Sequence, residues 1–215
     1  MTWQVIHGDC LEVMRTLPRV DACISDPPYG MDWDTVTKRF SGGSEASRAR
    51  RGIGISAERD VLGDNEPFDP SPWLQFDRVT LWGSNHFGSR LPVGTTLVWI
   101  KRNDRAFGSF LSDAEVAWER GGHGIYCFRD FSMTAEAVNR KHPTQKPIPL
   151  MRWCIRRQDL PPNSTILDPF CGSGSTGVAA LAEGMNFIGI EREAKYVEIA
   201  RKRIAAEAAQ GKLAF

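Results

Sequence analysis

Asp26, Pro27, Pro28 and Tyr29 place a carboxylate, carbonyls on residues that have no N–H, and an aromatic ring within four consecutive positions. Each proline fixes φ near about −65° and removes a donor, so the segment is a rigid set of acceptors. Such a set suits an exocyclic amino group. Asp26 and the Pro27 carbonyl can accept its two N–H bonds, and Tyr29 can stack on the ring that carries it. Engaging both protons leaves the nitrogen lone pair free to attack an electrophile, with no covalent enzyme intermediate.

A second cluster runs Asp168-Pro-Phe170-Cys-Gly172-Ser-Gly174-Ser175-Thr176-Gly177. Glycines allow a tight turn and close approach of backbone to ligand, and a helix opening there offers free N–H groups. Glu191 follows at the end of the next apolar run, where a carboxylate can accept two hydrogen bonds from a ribose diol. Gly172-x-Gly174-x-x-Gly177 alone matches a dinucleotide fingerprint. Its position separates the cofactors. A dinucleotide fold starts with this unit and adds further strand–helix units, but too few residues follow Gly177 for that. The sheet must be completed by strands that come earlier, in a circularly permuted order. Asp168 directly before the turn also suits a cationic ligand such as an amino-acid ammonium.

The elements that must position these groups read as follows. Trp3–His7 is a short strand, and Cys10, Val13, Met14 and Leu17 share one face of a helix closed by Pro18. Val20–Ser25 is a buried strand that delivers Asp26 at its carboxyl end, where open α/β sheets bind ligands. Further strands are expected at 79–82, 95–100, 114–118 and 125–128, with an amphipathic helix carrying Leu150, Met151 and Cys154. The last third alternates strand 165–167, helix 176–183, strand 186–190 and a long helix. That helix aligns Val197, Ala200 and Ile204 and sets Glu198 four residues before Lys202. This alternation predicts a mostly parallel sheet with helices on both faces, in one α/β domain spanning 1–215.

Composition narrows the classes. At 41% hydrophobic, with Lys+Arg 27 against Asp+Glu 26, the chain is neither disordered nor globally polybasic, so a polyanion site must be local. Residues 31–72 form a Gly/Ser/Arg/Pro-rich loop, and between Lys38 and Arg51 five basic residues (Lys38, Arg39, Arg48, Arg50, Arg51) face one acid, Glu45. Loops of this length are functional or disordered. The five cysteines never form a C-x-x-C pair and the four histidines lack metal-ligand spacing, so no metal is expected, and a reducing compartment is. No apolar run approaches the ~18 residues of a membrane span, and Met1-Thr-Trp-Gln shows no leader pattern, which makes a soluble cytoplasmic protein the expectation.

These motifs in this order resemble the β-group of DNA amino-methyltransferases, which methylate adenine N6 or cytosine N4 with S-adenosylmethionine. The resemblance runs through His7-Gly-Asp-Cys10, Asp26-Pro-Pro-Tyr-Gly30, His142-Pro-Thr-Gln-Lys-Pro147, Asp168-Pro-Phe-Cys-Gly-Ser-Gly-Ser-Thr176 and Gly189-Ile-Glu191. It implies a single Rossmann-like domain with a seven-stranded sheet. It further implies that Asp168, Phe170, Gly172 and Gly174 line the methionine end of the cofactor, with Ser175 and Thr176 beside them. Glu191 would hold the ribose, Asp9 with Cys10 the adenine, and Lys146 would lie near the amino-acid moiety. Asp9 is also well placed to cap the helix that starts at Cys10. Asp rather than Ser before Pro-Pro-Tyr resembles the adenine-N6 branch; cytosine N4 is the alternative. Cys171 lies in the cofactor turn, which disfavours the thiolate chemistry of cytosine C5.

The implied partner is double-stranded DNA, with the target base flipped out of the helix. Expected phosphate contacts are the 38–51 cluster, Lys101, Arg102 and Arg105, and Arg129, Arg140 and Lys141. A short recognition segment is expected at about 121–140. The sequence is compatible with a homodimer and specifies no restriction endonuclease partner. An RNA amino-methyltransferase or an NAD oxidoreductase fits the motif order less well.

Overall fold

A computed structural model of the chain describes residues 1–30, 63–104, 107–108, 112–131 and 145–211. One seven-stranded sheet organises them. Its strands are β1 (Trp3–His7), β2 (Ala22–Ser25), β3 (Val79–Trp82), β4 (Gly94–Ile100), β5 (Ala114–Arg129), β6 (Thr165–Asp168) and β7 (Asn186–Glu191). They lie in the order β1-β7-β6-β2-β3-β5-β4. β1, β7, β6, β2 and β3 are parallel, and β5 is antiparallel to β3. Chain order reverses between β6 and β2, the switch point at which open α/β sheets leave a crevice. Asp26 and Asp168 both emerge there.

β5 does not run straight. Gly121 and Gly122 take φ of 84° and 64°, which only glycine adopts without strain, and the strand folds back there. Its first half pairs antiparallel with β3 and β4 (Trp82 with Ala117, Ile100 with Ala114). Its second half returns parallel along the other edge of β4 (Thr96 with Ile125, Ile100 with Arg129). The two short strands expected at 114–118 and 125–128 are these two halves.

The helices are α1 (Cys10–Met14), α2 (Ile148–Arg157), α3 (Ser175–Ala182) and α4 (Ala194–Gly211). α2, α3 and α4 cover one face, burying Leu150, Met151, Cys154, Val178, Ala179, Val197, Ala200 and Ile204 against Ile24, Ile166 and Phe187. The opposite face is covered by α1 and by a 3-10 turn at Ser71–Gln75. There Phe68, Trp73 and Phe87 pack on Leu81 and Trp118. Two expectations change. The stretch read as loop to residue 72 includes Phe68, which is 8% exposed in this second core, because one aromatic in a Gly/Pro-rich segment can still find apolar partners. On α4, Glu198 pairs with Arg201 at 3.3 Å instead of Lys202, since i,i+3 neighbours are as close on a helix as i,i+4. No described helix is long and apolar enough to cross a membrane. All five cysteines are free thiols.

Candidate active site

β2 is fully buried between β6 and β3, so the chain leaves the sheet at a fixed point. Beyond it the Tyr29 and Gly30 N–H groups both donate to Asp64 Oδ1 at 2.9 Å, which pins the end of the tetrapeptide. Gly30 sits at φ 76°, where a Cβ would run into the Glu66 carbonyl. The Tyr29 hydroxyl donates a short hydrogen bond to Asp26 Oδ1. Its ring stacks on His86 with centroids 4.9 Å apart and planes 9° from parallel. The ring also lies against Gly83, at φ 75°, where any Cβ would overlap it.

The other Asp26 oxygen accepts from Lys146, whose ammonium also lies 3.1 Å from Glu115 Oε2 and 3.4 Å from the Tyr29 hydroxyl. Glu115 accepts in turn from Lys101 at 2.8 Å. Burial pushes the Asp26 carboxyl above the ordinary aspartate range, and the Lys146 ammonium pulls it back. Burial would raise Glu115 as well, but Lys146 and Lys101 outweigh it and draw it down to about 2. Two carboxylates and two ammonium groups thus alternate in a line that ends at the tetrapeptide.

The glycine turn stands one strand away. Pairing of β2 with β6 (Ala22 with Ile166, Cys23 with Leu167) brings the two motifs edge to edge. Ser25 Oγ donates to Asp168 Oδ1 and Thr176 Oγ1 to Oδ2, both at 2.5 Å, and the Phe170 N–H donates at 3.1 Å. Asp168 is 3% exposed and has no cationic partner among the described residues. Burial raises its pKa to about 6, and the hydroxyl donors only partly offset this. A buried, hydrogen-bonded carboxylate that lacks a counterion is suited to receive a cationic ligand.

Gly172 (φ 50°) and Gly174 (φ 83°) turn the chain into α3, with Gly174 at the N-cap. Glu191 closes β7 and accepts from the Gly172 and Glu193 N–H groups, each at 2.8 Å. Asp9 follows β1, which pairs with β7, and its Oδ1 caps α1 through Leu11 and Glu12 N–H at 2.9 and 3.4 Å. Beside it, burial and then the Asp9 charge push the Cys10 thiol up to about 11, so Cys10 serves as an apolar lining group. Phe170 packs edge-on against Trp73 and Phe68, centroids 5.2 and 5.9 Å away.

The carboxyl end of the parallel strands therefore gathers Asp9, Cys10, Asp26–Tyr29, Asp168–Thr176 and Glu191. A cavity of about 430 Å³ lies at the opposite, amino end of the strands, between Leu17, Gln75, Arg78 and Leu160, and holds none of these groups. Lys146, expected near the amino-acid moiety of the cofactor, has its ammonium on Asp26 and Glu115. Lys101, expected on phosphate, pairs with Glu115 at 2.8 Å. Arg129 pairs with Asp104 at 3.2 Å, both exposed, and Arg102 is half-exposed at the end of β4. Lys38, Arg39, Arg48, Arg50, Arg51, Arg105, Arg140 and Lys141 lie outside the described residues.

Four residues were not legible as site members: Glu115, Asp64, His86 and Arg203. Arg203 reaches from α4 to the Ser173 carbonyl and hydroxyl at 2.6 and 2.8 Å, bracing the turn. None of the four belongs to a local motif, so only tertiary contact reveals them.

The chain is similar in sequence and fold to known proteins. A family model described as DNA methylase, of the N6/N4 type, matches residues 98–202. The putative methylase YubD of Escherichia coli strain K12 is 30% identical over 94% of this chain and 89% of its own length. The type II methyltransferase M.HinfI of Haemophilus influenzae is 27% identical over 93% of this chain and 67% of its own. Among solved structures, the M1.HpyAVI–SAM complex aligns with a TM-score of 0.56 and 23% identity, over 94% of this chain and all of that one (100%).

Proposed function

The chain belongs to the N6/N4 family of DNA amino-methyltransferases, and on that premise we propose that it methylates the N6 amine of an adenine flipped out of double-stranded DNA, with S-adenosylmethionine as donor. The observation that carries this reading is the adjacency of Asp26 and Asp168. An amine acceptor and an uncompensated anion stand at neighbouring strand ends, tied through Ser25.

The residues at the glycine turn fit that donor. Asp168 offers a buried anion to the amino-acid ammonium, Gly172 and Gly174 keep side chains out of the way, and Glu191 stands where a ribose diol would be held. Asp9, with Cys10 and Phe170, would border the adenine, while Ser175 and Thr176 shape the turn. Bound there, S-adenosylmethionine supplies an electrophilic methyl group whose bonding electrons leave with the sulfur. Asp26 and the Pro27 carbonyl accept the two N–H bonds of the target amine, and Tyr29 provides a face for its ring. The nitrogen lone pair forms the new N–C bond, and one N–H proton passes to Asp26 and on to water.

Phosphate contacts come from the basic 38–51 segment with Arg102 and Arg129 on the same chain, and the recognition segment is near 121–140. Adenine is favoured by Asp before Pro-Pro-Tyr. Cytosine N4 is the second reading, because the matching family methylates both amines. Transfer of tritiated methyl groups to genomic DNA from a methylase-free bacterium, set against the RNA of the same cells, tests the proposal. Label in RNA and not in DNA overturns it.

A further inference from the structure

The amine-methylation reading gives Asp26 its task but not the means of remaining an acceptor. Asp26 faces a crowded set of charges. Glu115 lies on the far side of Lys146, Asp168 at the next strand end, and the Tyr29 hydroxyl at hydrogen-bond distance. Lys101 stands behind Glu115. Neighbouring carboxylates disfavour one another's ionisation, and the Lys146 cation between Asp26 and Glu115 opposes this. A protonated Asp26 would present an O–H to the target amine and spoil the acceptor set.

Resting on that reading, we propose that Lys146, clamped by Glu115, is a positioning residue that holds the Asp26 carboxylate ionised and aimed at the target amine. The clamp is geometric. The Lys146 side chain is 7% exposed, and its ammonium is shared between Asp26 and Glu115 at the mouth of the tetrapeptide. It rests 5.9 Å from the centre of the buried Trp82 ring, against a wall that yields little. Its backbone is fixed by Pro147, the N-cap of α2. Lys101 holds the second Glu115 oxygen, so Glu115 cannot swing away and release the lysine. Burial lowers the pKa of Lys146, but the Asp26 and Glu115 carboxylates outweigh it and keep the ammonium charged. Lys146 therefore acts through Asp26, by charge and by direction.

The test is the pH dependence of methyl transfer to methylase-free genomic DNA by the wild type, Lys146→Met, Lys146→Arg and Glu115→Gln, with cofactor affinity measured by calorimetry. Loss of a cation within hydrogen-bond distance should raise the acid limb of Lys146→Met by about 1–3 pH units, with activity partly recovered at high pH. Lys146→Arg should keep the limb near its wild-type place. Glu115→Gln removes a like charge from Asp26 and also loosens the hold on Lys146, two opposing effects, so its limb should move less than that of Lys146→Met. Cofactor affinity should hold in all three.

A limb that stays put in Lys146→Met, with weakened cofactor binding, overturns the proposal in favour of a cofactor contact. A limb that moves more in Glu115→Gln than in Lys146→Met overturns it as well. If Lys146→Met does not fold, Lys146→Gln, which removes the charge but keeps a polar side chain, takes its place with the same expected rise. The carbon-13 titration of the Asp26 carboxyl, assigned with Asp26→Asn, separates this inference from the functional reading. A wild-type enzyme inactive on DNA sinks the reading, whereas an Asp26 titration unchanged by Lys146→Met sinks the inference alone.

Discussion

Ser25 Oγ and Asp168 Oδ1 are joined by a 2.5 Å hydrogen bond between residues 143 positions apart. Ser25 is the last residue of β2 and Asp168 the last of β6, so this bond couples the tetrapeptide that would hold the amine to the turn that would hold the donor. Parallel pairing of the two strands fixes their register, and the distance between the motifs is set by the sheet and not by a loop.

Asp168 should prove costly to stability and necessary to binding. Its folded pKa of about 6 lies above the 3.8 of an ordinary aspartate, so the folded chain holds that proton more tightly than the unfolded one. Its contribution to stability therefore falls as pH rises from 4 towards 6 and stays unfavourable above. Asp168→Asn should leave the melting temperature at pH 8 unchanged or raised, with a gain in stability of at most about 3 kcal/mol. Cofactor affinity should fall. A lower melting temperature with intact affinity would show the carboxylate to be structural.

The same carboxylate gives cofactor binding a pH dependence. Below about 6 it carries a proton and no longer attracts an ammonium. Calorimetric titration should show affinity for S-adenosylmethionine dropping by up to about tenfold for each pH unit below that point. An affinity flat from pH 5 to 8 contradicts the assignment.

Asp26→Asn should lower methyl transfer by about a hundredfold or more, the scale of losing one preorganised hydrogen-bonding group in a transition state. Cofactor affinity should hold, since Asp26 does not touch the glycine turn. Asparagine is preferable to alanine here, because its amide oxygen can still accept from the Lys146 ammonium, whereas alanine leaves no acceptor at that position. Wild-type turnover in Asp26→Asn would remove the amine-acceptor role.

Gly83→Ala probes the seat of Tyr29. The new Cβ would overlap the ring, and φ 75° adds backbone strain of about 1–3 kcal/mol. Methyl transfer should fall more than cofactor affinity, and fluorescence-monitored unfolding should show the lost stability. A variant with wild-type rate and stability would mean that the ring is free to move.

Much of this arrangement was legible in the sequence, and the failures share a cause. β6, α3, β7 and α4 were readable because glycine turn, apolar strand and helical stripe follow one another locally. The tetrapeptide was readable as the end of a buried strand. The meeting of Lys146 with Glu115 and Asp26 was not, because it depends on an antiparallel β5 lying beside β3, and strand order leaves no trace in local spacing. Phe68 illustrates the same limit, since its Gly/Pro-rich neighbours hide an aromatic that packs on Phe87 and Phe170.

The basic 38–51 segment lies outside the described residues, and the phosphate contact proposed for it rests on charge alone. Replacing Arg48, Arg50 and Arg51 with Gln should weaken DNA binding and flatten its log–log salt dependence by up to roughly three, about 0.9 per phosphate contact. Base preference should not change, because phosphate contacts position a protein without reading sequence. Unchanged affinity and slope would make the segment a solvated insertion.

The identity of the methylated base bears most directly on the chemistry assigned to Asp26. Genomic DNA from a methylase-free bacterium, incubated with the enzyme and S-adenosylmethionine, is digested to nucleosides and analysed by mass spectrometry. Wild-type enzyme should yield N6-methyladenine, and Asp26→Asn almost none. N4-methylcytosine would contradict the adenine assignment, and no methylated nucleoside at all would contradict the activity.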